Sequence, residues 1–68
     1  MRITRKHGEC SDGTCPAVYD TDDPAMVGVQ GAILRDAQAL ADIGEIPAHE
    51  SVVLLPRSLF ESYVRGRS

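Results

Sequence analysis

An α+β fold is predicted for this chain: a small antiparallel sheet, made of a hairpin over 17–34 plus a strand over 51–55, packed by a short helix over 36–43 and a C-terminal helix over 57–65. Three observations predict it. Two β-rich runs flank Asp22-Asp23-Pro24, whose chemistry reverses a chain. An alanine-rich stretch between Asp36 and Gly44 carries helix start and stop signals, and an aromatic run follows Pro56 at the C-terminal end.

Sixty-eight residues make one domain, and one of marginal stability, because a chain this short buries only about 60% of the surface its unfolded form exposes. With two Tyr, one Phe and no Trp, the core must come from Val, Leu, Ile and Ala, enough for one thin layer and too little for a deep substrate cleft. Residues 1–14 are expected to form an N-terminal arm and loop, and 15–68 a single small α+β domain.

Met1–Lys6 alternates once and is read equally as an edge strand or a disordered arm. His7–Thr14, with two glycines, Ser and Asp, reads as a loop. Ala17–Thr21 starts a strand behind Pro16, with Tyr19 on the face of Ala17 and Thr21 while Val18 and Asp20 point the other way. Beyond the turn, Val27, Val29 and Ile33 share one face. Gly28 and Gly31 lack side chains to pack and mark a bulge or the close approach of another backbone.

Asp36 is placed to cap the first helix and Gly44 to end it, with Ala37, Leu40 and Ile43 as its buried stripe. Val52-Val53-Leu54-Leu55 does not alternate, which predicts a strand covered on both faces. The second cover is the terminal helix, a partner, or another copy of the chain in a homodimer of two stacked sheets. Ser58-x-x-Glu61 reads as a capping box, and Leu59, Phe60, Tyr63 and Val64 as the helical face that meets the sheet.

Charge is uneven. The span 9–50 holds nine of the ten acids against one base, Arg35, within a net charge of −3. Such a balance argues against direct nucleic-acid binding, which needs clustered Lys and Arg. It suits either a solvated surface or contact with a basic protein, of which DNA-binding proteins are a common kind. The longest apolar run, Val52–Leu55, is far below the roughly 20 residues of a membrane span. Arg2, Arg5 and Lys6 have no apolar stretch behind them, which argues against a signal peptide and for a cytoplasmic protein without membrane association.

His7-x2-Cys10-x4-Cys15 is the most chemically suggestive group, since thiolates and imidazole are the ligands zinc prefers. The set is one ligand short of a structural site, so no metal or other cofactor is expected. Thiols in the reducing cytosol are favoured over a Cys10–Cys15 disulfide. His49-Glu50 is read as surface, with no nucleophile beside it. No phosphate loop or carboxylate pair on a clear scaffold is present, so the chain is not expected to be an enzyme.

The strings Cys15-Pro16-x-Val18-Tyr19-x-Thr21-Asp22 and Val27-x-Val29-Gln30-Gly31, with Asp36-x-x-x-Leu40 and Ile46-Pro47-x-x-Glu50-x-Val52, resemble a group of very small actinobacterial proteins of unknown function. Members of that group are often encoded beside helix-turn-helix regulators of the Xre type. The chain departs from the group at Asp23-Pro24, where a basic residue or glycine is expected. The resemblance implies a role in transcription regulation: a non-enzymatic accessory protein that binds a helix-turn-helix regulator through an acidic hairpin face. The residues expected to bind the partner are Tyr19, Asp20, Asp22, Asp23, Val29 and Gln30. The alternatives are a zinc module on His7, Cys10 and Cys15, and a swapped-hairpin DNA-binding dimer similar to the AbrB type.

Overall fold

The structure, a computed structural model, describes residues 1–8 and 15–67. The fold is α+β. Strands β1 (Ile3–Gly8), β2 (Ala17–Thr21) and β3 (Val27–Gln30) form an antiparallel sheet in the order β1-β2-β3. Strand β4 (Ala32–Ile33) pairs antiparallel with β5 (Val53–Leu54) in a second ladder. Helix α1 (Ala37–Ile43) lies between β4 and β5, and α2 (Arg57–Arg67) closes the described chain.

Strand β2 is central because it alone is paired on both edges, and its Val-Tyr-Asp-Thr run suits a pleated, half-buried surface. Its register sets the two faces of the sheet. Val18 lies opposite His7 and Val29, and Asp20 opposite Arg5 and Val27, on one face. Tyr19 lies opposite Lys6 and Gly28, and Ala17 opposite Gly8 and Gln30, on the other. The stretch read as edge strand or arm is an edge strand, and it takes in His7 and Gly8, which composition had assigned to the following loop. Arg5 and Lys6 put charge on that edge, which discourages pairing with a further strand.

The turn between β2 and β3 has the predicted chemistry. Asp23 accepts the Met26 N–H on its carbonyl at 3.0 Å and the Ala25 N–H on Oδ1 at 2.9 Å, with Pro24 at the position whose fixed φ starts such a turn.

Gly31 joins β3 to β4 and is required there: a Cβ at this position would collide with the Leu54 carbonyl of β5. The ladder continues one residue further through the Leu34 N–H, which donates to Val52 O at 3.0 Å. Strand β5 is nonetheless only two residues long, not the five expected, and it is not covered on both faces, since Leu54 is exposed. A two-residue partner strand supports no longer ladder.

Helix α1 begins where predicted, with Asp36 Oδ2 accepting the Ala39 N–H at 2.9 Å, and ends at Gly44, whose φ of 92° favours glycine. Its expected buried stripe is not buried: Leu40 is half-covered, while Ala37 and Ile43 are exposed. A helix of two turns has too little apolar surface to bury itself firmly against the sheet.

Helix α2 starts without the predicted capping box. The Pro56 carbonyl accepts the Leu59 and Phe60 N–H groups at 3.1 and 3.3 Å, so the helix begins one residue ahead of Ser58. Leu59 and Tyr63, one turn apart, press on the sheet over Val18, and with Ala17 these are the only buried residues of the core among the described residues. Phe60 and Val64, expected on the same face, point outward at 56% and 52% exposure. Among the described residues no helix is long and apolar enough to cross a membrane.

Candidate protein-interaction surface

The β2-β3 hairpin carries the residues expected to bind a partner, and the pleat distributes them over two faces. Tyr19 and Gln30 share the face turned away from α2. The Tyr19 hydroxyl donates to Gln30 Oε1 at 2.6 Å, and Gln30 Nε2 donates to the Cys15 carbonyl at 3.1 Å. This relay ties one half-buried aromatic to the entrance of β2 and fixes its rotamer before any partner arrives. Gly28 lies beside it, and a Cβ there would make only ordinary contact with the Tyr19 ring, so Gly28 leaves the ring face open and is no bulge.

Asp22 and Asp23 form the tip. Asp22 is exposed, and its N–H donates to the Arg2 carbonyl at 3.0 Å, which anchors the tip to the start of β1. Thr21 locks the other side: its Oγ1 accepts the Asp23 N–H at 3.1 Å and lies 2.9 Å from Met26 O and 3.0 Å from Asp23 O, one of which takes its proton. The tip is therefore a rigid acidic corner.

Asp20 and Val29 do not belong to that surface. Asp20 lies on the α2 side, where its Oδ1 accepts from the Tyr63 hydroxyl at 2.5 Å. Val29, on the same side, lines a hollow of about 390 Å³ with Val53, Leu55, Arg57 and Phe60. Period-two alternation was sufficient to separate Asp20 and Val29 from Tyr19 and Gln30; grouping all six ignored it.

A polar recess of about 240 Å³ opens beside Asp20, lined by Arg5, His7, Tyr63 and Gly66. His7 Nε2 is hydrogen-bonded to Ser62 Oγ at 3.2 Å, and its ring meets the Tyr63 ring edge to face, with centroids 5.7 Å apart. His7 is thus a packing residue between β1 and α2. Sequence reasoning missed this role because Ser62 and Tyr63 are more than fifty residues away.

The expectation of a thiol at position 15 is corrected. Cys15 is disulfide-bonded, and the sequence has one other cysteine, Cys10, which lies outside the described residues. The two are close in sequence, so a bond between them closes a short loop at small entropic cost. A disulfide sulfur is no thiolate, so Cys15 has no zinc-binding group to offer in this state, and His7 is engaged with α2. Among the described residues no three His, Cys, Asp or Glu side chains gather closely enough to hold a metal ion. His49 and Glu50 approach to 3.7 Å at a turn, both well exposed, where such a contact is worth little.

No family model, curated protein or solved structure matches this chain.

Proposed function

We propose that this chain is a non-enzymatic accessory protein that binds a helix-turn-helix transcriptional regulator through the acidic tip of its hairpin and the adjoining Tyr19–Gln30 face. The observation that carries this reading is the tip itself. Exposed Asp22 and half-buried Asp23 form a turn held by five hydrogen bonds, counting the one from Asp22 N–H to Arg2 O, next to a tyrosine whose hydroxyl is already committed. A rigid acidic corner matches the basic surface with which such regulators grip phosphates, and complementary charge steers encounter and orientation. Tyr19 supplies the apolar centre of the contact, with its polar end satisfied inside the protein so that burial leaves no unpaired group.

The interface so defined is narrower than the one read from sequence. It keeps Tyr19, Asp22, Asp23 and Gln30 and drops Asp20 and Val29, which lie on the other face. By occupying the regulator's DNA-reading surface, the protein changes operator occupancy without touching DNA.

The test is a low-salt pull-down from native lysate with the wild-type protein and with the Asp22→Asn/Asp23→Asn double variant. The expected result is recovery of a DNA-binding regulator that is lost in high salt and with the double variant. Recovery of no DNA-binding protein, or equal recovery by both proteins, overturns the reading.

A further inference from the structure

The α2 side of the sheet is only half covered. Leu59 and Tyr63 turn one stripe of α2 inward, while Phe60 and Val64 turn an equally apolar stripe outward. Phe60 meets Val29, Val53 and Leu55 around the 390 Å³ hollow, and Val64 extends the stripe along the helix. Val27 adds to it from the same face of β3. Val27 and Val29 remain 51% and 46% exposed, an unusual placement for β-branched residues beside the core.

We infer that this surface is the interface of a symmetric homodimer. The area points to an occupant. The folded chain keeps 5480 Å² of accessible surface, where a self-sufficient monomer of 7.3 kDa keeps roughly 4,200 Å², a surplus of roughly 1,300 Å². That surplus is larger than what one standard interface removes, about 800 Å² per partner.

A second copy fits better than a foreign chain for two reasons. Four buried residues among the described ones are a small core, so the chain gains from a partner that is present wherever it is made. The patch is also self-complementary. Arg57 and Glu61 border it one turn apart with opposite sign. Two α2 helices crossing antiparallel near Phe60 set each Glu61 against the Arg57 of the other copy and bring the two Phe60 rings together on the twofold axis. Isologous contacts of this kind are the commonest in homo-oligomers, and their apolar centres exceed those of transient interfaces. The acidic tip lies outside this surface, so dimerisation and regulator binding stand or fall separately.

Sedimentation velocity from low to high micromolar concentration tests the inference, with Phe60→Glu, Tyr19→Ala and the Asp22→Asn/Asp23→Asn variant alongside. The wild type is expected at twice 7.3 kDa. Tyr19→Ala and the double variant are expected to match it, and Phe60→Glu to self-associate about a hundredfold more weakly while keeping its helical circular dichroism. A wild type that stays at the monomer mass throughout, or a Phe60→Glu protein that dimerises as the wild type does, overturns it. Should Phe60→Glu fail to fold, a photo-crosslinking p-benzoylphenylalanine at position 60 decides: adducts between two copies mapping to 27–29 or 57–65 support the interface, and absence of such adducts overturns it.

Discussion

The Tyr63 hydroxyl donates to Asp20 Oδ1 at 2.5 Å, joining α2 to the central strand across 43 residues of sequence. Tyr63 also presents its ring edge-on to His7 of β1, so this one side chain holds the helix to two strands. Removing only the hydroxyl separates the two roles. Tyr63→Phe is expected to lower stability by about 1 kcal/mol, the net worth of a part-buried hydrogen bond. Tyr63→Ala removes one of the four core residues buried among the described ones and is expected to cost about 3 kcal/mol or more, enough to unfold so small a domain. Urea titrations followed by circular dichroism distinguish them. Equal losses for the two variants would mean that the hydroxyl, not the ring, does the fastening.

Gly31 is a second point of failure, for a steric reason. A methyl group at this position meets the Leu54 carbonyl head on and lies 3.1 Å from the Leu55 side chain. Backbone cannot step aside as a flexible side chain does, so Gly31→Ala is expected to force β4 and β5 apart at a cost of about 2 kcal/mol or more. Hydrogen exchange is the sensitive readout. The Leu34 amide, bonded to Val52 O, should lose its protection, whereas the amides of the β2-β3 ladder should keep theirs. Unchanged exchange at Leu34 would count against the clash.

How much of this was legible in the sequence divides along a physical line. The Asp-Pro turn, the Asp36 cap and the Gly44 terminus depend on residues within four positions of one another, and local chemistry placed them and, with the turn, the β2-β3 hairpin. Gly31 was legible as a place of close backbone approach, though not which backbone came close. What failed depended on contacts distant in sequence. The Val52–Leu55 run looked doubly covered because apolarity was taken for burial, yet Leu54 is exposed. The stripe of α2 divides for the same reason: four apolar residues span a wider arc than one thin sheet can cover. His7 and Asp20 became packing residues through Ser62 and Tyr63, partners no local pattern announces. The expected binding site lost Asp20 and Val29 to the pleat, which the alternation had already encoded.

The disulfide at Cys15 sits at one end of the Tyr19–Gln30 relay, because Gln30 Nε2 donates to the carbonyl of that same residue. If Cys10 is its partner, the bond closes a short loop, and opening it is expected to cost about 2 kcal/mol from the entropy returned to the unfolded chain. In a domain of marginal stability that is a large fraction of the total. Thermal melts with and without reductant, beside a native thiol titration, check it: the unreduced protein should show no reactive thiol, and the reduced protein should melt several degrees lower. Two thiols titrating in the unreduced protein would remove the premise.

The tip offers the sharpest separation of structure from charge. Asp23 holds the turn through Oδ1, which accepts the Ala25 N–H, and asparagine keeps an oxygen in the same place. Asp23→Asn, and with it Asp22→Asn, is therefore expected to change stability by no more than about 0.5 kcal/mol while removing two negative charges from the corner. Thr21→Val does the reverse. It leaves the charge intact and deletes the hydroxyl that accepts the Asp23 N–H and approaches two carbonyls, with an expected loss of about 1 kcal/mol. Against an isolated regulator, the asparagine variants should slow association and flatten its salt dependence, because steering acts on the encounter. Thr21→Val should leave the salt slope unchanged and weaken binding only as far as the corner loosens. If both sets of variants bind as the wild type does, the corner is a solvated turn and the regulator docks elsewhere.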